Sequence, residues 1–303
     1  MKQRVFSSAG LAVLAGISFV TQALAVVNIA WVPVGNAGNA PDTATGSLYG
    51  AVGYAYNIGK YEVTNSQYAE FLNAKGGSNS YGIYNASMAG YGITRSGSAG
   101  SYNYGLTSGL ENRPVVYVSW FDAARFTNWL GNGQGGGDTE TGAYTLISGQ
   151  TTGIVTVNPG AQIYIPSENE WYKAAYYNGG TSTYSLYPNG QNTITTADAN
   201  YASGGSTNVG SYSGDPSSYG TFDQGGNVYE WNDAVISGSF RGLRGGSWDS
   251  FYGVFVLRSS GRGGLDPSFE DLLIGFRVAS VPEPTSVVLA MVASGMLLVR
   301  RKR

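Results

Sequence analysis

Three blocks constrain this chain more than any other feature: Asp223-Gln-Gly-Gly-Asn-Val-Tyr-Glu-Trp231, Arg244-Gly-Gly-Ser-Trp248 and Gly275-Phe-Arg-Val-Ala279. Each sets glycines among aromatics and single charges. Such runs match neither the 3.6-residue period of an amphipathic helix nor the alternation of a half-buried strand. They predict a core built largely from irregular backbone and held by buried Trp and Arg side chains. Composition points the same way, because 46 Gly and 23 Tyr with only 12% charged residues suit turns anchored by aromatics better than long helices. An aromatic content of 13% argues against disorder. The chain of 303 residues can bury a sizeable core, and with no clean repeat or composition break one domain is the simplest reading.

The two ends read as targeting segments. Met1-Lys-Gln-Arg4 is basic, an apolar run follows from Ala9 to Val20, and Ala23-Leu-Ala25 is a small-x-small cleavage signal. Residues 1–25 are therefore expected to be a secretory signal peptide, the alternative being an N-terminal core helix. At the other end, Val281-Pro-Glu-Pro284 precedes an apolar run, Ser286–Val299, and then Arg300-Arg-Lys-Arg303. That run is shorter than the ~20 residues that span a bilayer comfortably, although terminal arginines can snorkel and basic tails favour the cytoplasmic side. Both segments predict that residues 26–280 lie outside the cytoplasm.

Between the ends, Thr64, Ser119 and Ser167 each place a hydroxyl at a helix N-cap, with Gln67, Asp122 and Glu170 at N3. The spacing predicts helices over Gln67–Ala74, Trp120–Leu130 and Glu168–Tyr177. Strands are expected at Tyr54–Ile58, Val115–Val118, Gln162–Ile165, Leu243–Ser247, Val254–Ser259 and Gly275–Val278. Stretches 76–109, 131–142 and 178–219 are long for loops in a compact domain. Recurring tyrosines are expected to pin them down.

Absent residues exclude much chemistry. With 0 His and 0 Cys there is no Ser-His-Asp triad, no imidazole or thiolate metal ligand and no disulfide. A net charge of −2 gives no reason to expect nucleic acid as a partner. The Gly131–Gly137 run follows a helix instead of a strand, so it reads as a plain loop and not a phosphate cradle. Glu168 and Glu170 lie two apart on a helix, where side chains diverge, and read as caps and helix-dipole partners rather than as a glycosidase pair. Oxygen ligands for a hard cation are the best positive signal. Asp223, Glu230 and the carbonyls between them form a tight cluster in a Gly-rich turn that suits Ca²⁺. The alternative is that Glu230 only hydrogen-bonds backbone amides in a buried turn.

Seven blocks in order resemble the formylglycine-generating enzyme (sulfatase-modifying factor) family. They begin with Trp31-Val-Pro-Val-Gly-Asn36, Gly59-Lys-Tyr-Glu-Val-Thr-Asn-Ser-Gln-Tyr-Ala-Glu-Phe-Leu-Asn73 and Arg113-Pro-Val-Val-Tyr-Val-Ser-Trp-Phe-Asp-Ala-Ala124. Ile165-Pro-Ser-Glu-Asn-Glu-Trp-Tyr-Lys-Ala-Ala175, Gly226-Asn-Val-Tyr-Glu-Trp231, Arg244–Trp248 and Gly275–Arg277 complete the series. The resemblance implies an α+β, C-type-lectin-like fold, loop-rich with short strands and about three short helices. It also implies calcium held by the side chains of Asp223 and Glu230 and the carbonyls of Gly226 and Val228. A second calcium site would begin at Asn200 and Tyr201, although the acidic loop that completes it is shortened here. The family's two copper cysteines fall near Ser250 and Phe255, neither of which can hold Cu(I). The related sulfoxide synthases of ergothioneine synthesis hold iron through histidines, so neither copper nor iron is expected. The tail is similar to the PEP-CTERM sorting signal of Gram-negative bacteria, which implies an exosortase-type processing partner at the inner membrane.

These readings together predict an exported, surface-associated module, non-catalytic, that binds extracellular polysaccharide or protein through loops 78–109 and 176–220. Tyr, Ser, Gly and Asn on such loops give large contacts at low entropy cost. The competing expectations are an enzyme of the same family with cysteine-independent chemistry near Arg244, Arg258 and Arg277, and a structural matrix protein without a discrete ligand.

Overall fold

The structure is a computed structural model that describes residues 26–249 and 253–282. The expected signal peptide, the tail from residue 283 onward and Ser250 lie outside the described residues. Among the described residues, twelve short strands and three helices follow in chain order: β1 Trp31–Val34, β2 Tyr56–Gly59, α1 Asn65–Lys75, β3 Ile93–Ser96, β4 Asn103–Leu106, α2 Trp120–Gly131, β5 Ile163–Tyr164 and α3 Glu168–Tyr176. The remainder are β6 Tyr177–Asn178, β7 Thr183–Tyr184, β8 Tyr229–Val235, β9 Arg241–Arg244, β10 Gly263–Leu265, β11 Ile274–Phe276 and β12 Ala279–Ser280. Among the described residues, no helix is long and apolar enough to cross a membrane.

Two four-stranded sheets organise the chain. The first has the order β1-β2-β12-β5 and is antiparallel throughout, so the first and last strands of the domain share it. The second has the order β10-β9-β8-β11, with β11 parallel to β8. The segment from β11 to β12 leaves one sheet and enters the other within three residues, and Arg277 sits in that crossing.

The three helices begin where the hydroxyls predict. Thr64, Ser119 and Ser167 accept from the N3 amides, and Gln67, Asp122 and Glu170 accept from the N-cap amides at 2.9, 2.9 and 2.8 Å, so all three capping boxes close. Helices α1 and α2 meet β11 through aromatic edges. The Phe71 and Phe126 rings stand 5.6 Å apart at 87°, and Phe126 and Phe276 5.4 Å apart at 78°. Tyr68 and Trp129 complete this fully enclosed cluster.

Tyrosines pin the long loops, as their recurrence predicts. The Tyr68 hydroxyl donates to the Ile83 carbonyl at 2.8 Å and Tyr104 to Gly76 at 2.6 Å. Two expected strands are not strands. Segment 115–118 cannot continue because Tyr117 adopts φ +58°, a left-handed conformation, and turns its amide to the Asp271 carbonyl. Residues 253–257 form a 3-10 turn that buries Leu257 and exposes Phe255; the β-branched content there suggested a strand, but only Leu257 is deeply packed. The expected strand at 243–247 shifts to β9, which ends where Gly245 and Gly246 take φ +97° and +76°.

Phe126→Ala would open a cavity at the junction of both helices and the second sheet. A loss of about 3–5 kcal/mol in chemical denaturation is the expected outcome.

Candidate functional site

The predicted oxygen-rich turn lies at the junction of the two sheets. Glu230 on β8 is fully buried, and its register partner on β11 is Gly275, where a Cβ would press on the Val115 carbonyl. Two residues beyond, Arg277 turns back onto Glu230: its Nε donates to Oε2 at 2.6 Å and its Nη2 to Oε1 at 2.7 Å. The same guanidinium donates to the Gly59 carbonyl at 2.9 Å and the Phe222 carbonyl at 2.8 Å. Trp171 of α3 donates its indole N–H to Glu230 Oε2 at 2.7 Å. One carboxylate thus joins β8, β11 and α3, while one guanidinium joins both sheets.

The turn that leads to Glu230 is left-handed at Asp223, Gly226 and Asn227, with φ of +61°, +87° and +57°. Only glycine fits at position 226, because a Cβ there would collide with the Asn200 carbonyl. Asp223 Oδ2 accepts the Gly210 amide at 2.6 Å. Asn227 donates to Glu62 Oε1 at 3.0 Å and accepts from the Thr207 amide at 3.0 Å and from Asn200 Nδ2 at 3.2 Å. Glu62 Oε2 is buried and accepts no hydrogen bond among the described residues. Burial, and then the charges of Asp223 and Glu230, push the Glu62 carboxyl well above the usual range. Burial also raises Asp223, to about 6, against the pull of the Gly210 amide and Arg277.

This geometry bears directly on the expected calcium ligands. Both Glu230 oxygens are taken by Arg277 and Trp171, so the carboxylate faces a cation already. Among the described residues, no group of three or more acidic, imidazole or thiol side chains is arranged to hold a metal. Asp223, Gly226, Val228 and Glu230 share the turn, and Glu230, one of the two acids of the expected calcium set, has both carboxylate oxygens engaged by Arg277 and Trp171 in this arrangement. The outcome resembles the alternative reading of a buried structural carboxylate, with an arginine and an indole in place of backbone amides. At the second expected site, Asn200 spends its side chain on Gly205, Asn227 and Ser203, and Tyr201 donates to the Ile194 carbonyl at 3.3 Å.

Near Phe255, a second charged region lies closer to the surface. Glu168 binds two arginines: Arg244 Nε donates to Oε1 at 2.8 Å, and Arg262 donates through Nε and Nη2 at 2.8 and 2.7 Å. Arg244 also donates to the Ser259 and Gly261 carbonyls and lies 4.4 Å from the Tyr49 ring centre. Arg258 lies 4.5 Å from the Phe255 ring centre and donates to the Tyr187 hydroxyl at 3.0 Å. Glu168 and Glu170 diverge, as their spacing requires. Sequence reasoning missed Glu62, Asn227 and Trp171 as members of the buried centre. Glu62 was detectable as a lone acid between Tyr61 and Val63 just before the α1 cap.

Residues 30–281 match the profile of the sulfatase-modifying factor enzyme 1-like domain. The chain belongs to that family. Among similar proteins, the serine/threonine-protein kinase pkn1 of Chlamydia caviae is 28% identical over 193 residues, which is 57% of this chain and 25% of that protein. Hercynine oxygenase of Mycobacterium tuberculosis is 25% identical over 257 residues, 74% of this chain and 52% of that protein. The chain therefore spans about a quarter to a half of the length of these curated relatives. The crystal structure of CarF shares the fold with a TM-score of 0.58 and 23% identity, covering 84% of this chain and 99% of CarF. The expected loop-rich α+β fold of the formylglycine-generating type is thus the observed one.

Buried acids give this family member a measurable pH signature. Burial raises Asp233 and Glu270 to about 7 and Asp122 to about 6. A carboxyl whose folded pKa exceeds its unfolded value binds its proton more tightly when folded. Its stabilising contribution is complete below about pH 4 and is lost as pH rises through 6–7. The melting temperature is expected to be higher at pH 5 than at pH 7. A lower value at pH 5 would mean that the ion-paired acids dominate the balance.

Proposed function

We propose that this chain is an exported, surface-associated binding or structural module that retains the sulfatase-modifying scaffold without its redox reaction. The observation that carries this reading is the donor set: the 303 residues include neither Cys nor His. Copper(I) held by thiolates and iron held by imidazoles both lack their ligands. Phe255, near one of the family's copper-cysteine positions, is an exposed aromatic stacked by Arg258. Arg244 and Arg277, the cations considered for an altered chemistry, are buried and committed to carboxylates and carbonyls. That commitment favours structural roles over catalytic ones.

Export rests on the two termini. Cleavage after Ala25 releases the domain beyond the inner membrane, and the Pro-Glu-Pro, apolar and basic segments hold it there for an exosortase-type protease. Extracellular polysaccharide or protein is the ligand class for the Tyr- and Gly-rich loops at 78–109 and 176–220.

Incubation of the purified protein with copper and a Cys-containing sulfatase peptide tests the reading. Mass spectrometry is expected to find no formylglycine, while a glycan or protein array gives specific binding. Turnover of the peptide would contradict the proposal.

A further inference from the structure

A cavity of about 390 Å³ opens on the first sheet beside the start of α3. That volume lies within the range of small-ligand sites. Ala55, Val157, Ala161 and Val281 supply apolar wall, and Tyr54, Tyr164, Glu170 and Asp233 bring rings and carboxylates to the same space. Neither the Asp223 turn nor the Phe255 region contributes to its lining.

The polar groups of this cavity are mostly acceptors. The Tyr54 and Tyr164 hydroxyls both donate to Glu170 Oε1, at 3.2 and 2.8 Å, so their protons are already spent. Asn158 spends its amide N–H groups on the Gly142 carbonyl and the Thr145 hydroxyl at 3.0 and 2.9 Å. Asp233 Oδ1 accepts from Arg241 at 2.8 Å, and that guanidinium is buried behind it, 3.8 Å from the Trp120 ring centre, and does not line the cavity. Two carboxyl groups therefore face the space against one arginine outside it, and because Asp233 is raised to about 7 both are charged above that pH. An anion would meet repulsion. A neutral polyol needs donors as well as acceptors and would find few. A cation supplies donors to the carboxylates, and tyrosine faces attract it further.

We propose that this cleft binds the ammonium or guanidinium head of a small organic cation, with Glu170 and Asp233 holding the charged head and Tyr54 and the apolar wall covering an aliphatic stem. The chemistry is shared by a free aliphatic diamine and by a lysine or arginine side chain of a peptide. The inference names a ligand class for the binding-module reading and rests on it.

Isothermal titration of the full-length protein tests it with four probes: 1,5-diaminopentane, a lysine-containing tripeptide, an arginine-containing tripeptide and 1,5-pentanediol. Saturable binding of at least one cation and none of the diol is expected; the diamine alone marks a free amine as the source, and a tripeptide marks a side chain. Tyr54 is more than half exposed, so Tyr54→Ala leaves the fold intact by melting temperature while weakening cation binding. Asp233→Asn keeps the contact to Arg241 and is expected to weaken binding roughly tenfold, the loss of one charge-assisted contact. Binding of the diol as tightly as the diamine, cation binding unchanged in both variants, or no heat with any cation would each overturn the proposal. The failure of the cleft is separable from failure of the module reading, because only the latter is signalled by turnover of the sulfatase peptide.

Discussion

The bidentate pair between Arg277 and Glu230 is the contact on which the arrangement of this domain depends. Short strands and irregular loops bury little regular hydrogen-bonded backbone, so the two sheets need another connection. Arg277 provides it from the crossing between β11 and β12, reaching β2 through Gly59, the 222 loop through Phe222 and β8 through Glu230. A buried ion pair carries a large desolvation cost and is tolerable only when its remaining donors and acceptors are met. Here the guanidinium meets two further carbonyls and the carboxylate meets an indole, so the pair is embedded in a satisfied network.

Around that centre the acidic excess has chemical consequences. Burial first, and then the neighbouring acids, raise Glu62 and Asp223, while Arg277 pulls both down and the Gly210 amide pulls Asp223 down further. With Glu230 paired to the arginine, Glu62 is the buried acid whose carboxyl burial pushes well above the usual range. Outside the centre, Glu168 performs a similar service, gathering the buried Arg244 and the partly exposed Arg262 against the start of α3.

The legible part of the sequence was the part written in local chemistry. Hydroxyls at 64, 119 and 167 placed the helix starts because a cap needs only its neighbours three residues on. The glycine-rich blocks marked irregular backbone, and at 226 and 275 the Asn200 and Val115 carbonyls show why no side chain fits there. Strands were less legible. The 115–118 run is extended in composition but broken by a left-handed Tyr117, and the 253–257 run forms a 3-10 turn that buries Leu257 fully and packs Val254 and Val256 only partly against the same cluster. Least legible were the partners of Glu230. A carboxylate beside glycines is equally compatible with calcium, backbone amides or an arginine 47 residues later in the chain, and only the fold brings Arg277 and Trp171 to it.

A double-mutant cycle on Arg277→Met and Glu230→Gln, run by chemical denaturation in excess EDTA, tests the central claim most directly. Each single change is expected to cost about 3–5 kcal/mol by stranding its partner, and the pair to show a coupling of about 2 kcal/mol or more. Additive losses, or a wild-type protein that loses its cooperative transition in EDTA and regains it with calcium, would place the burden on an ion instead of on the arginine.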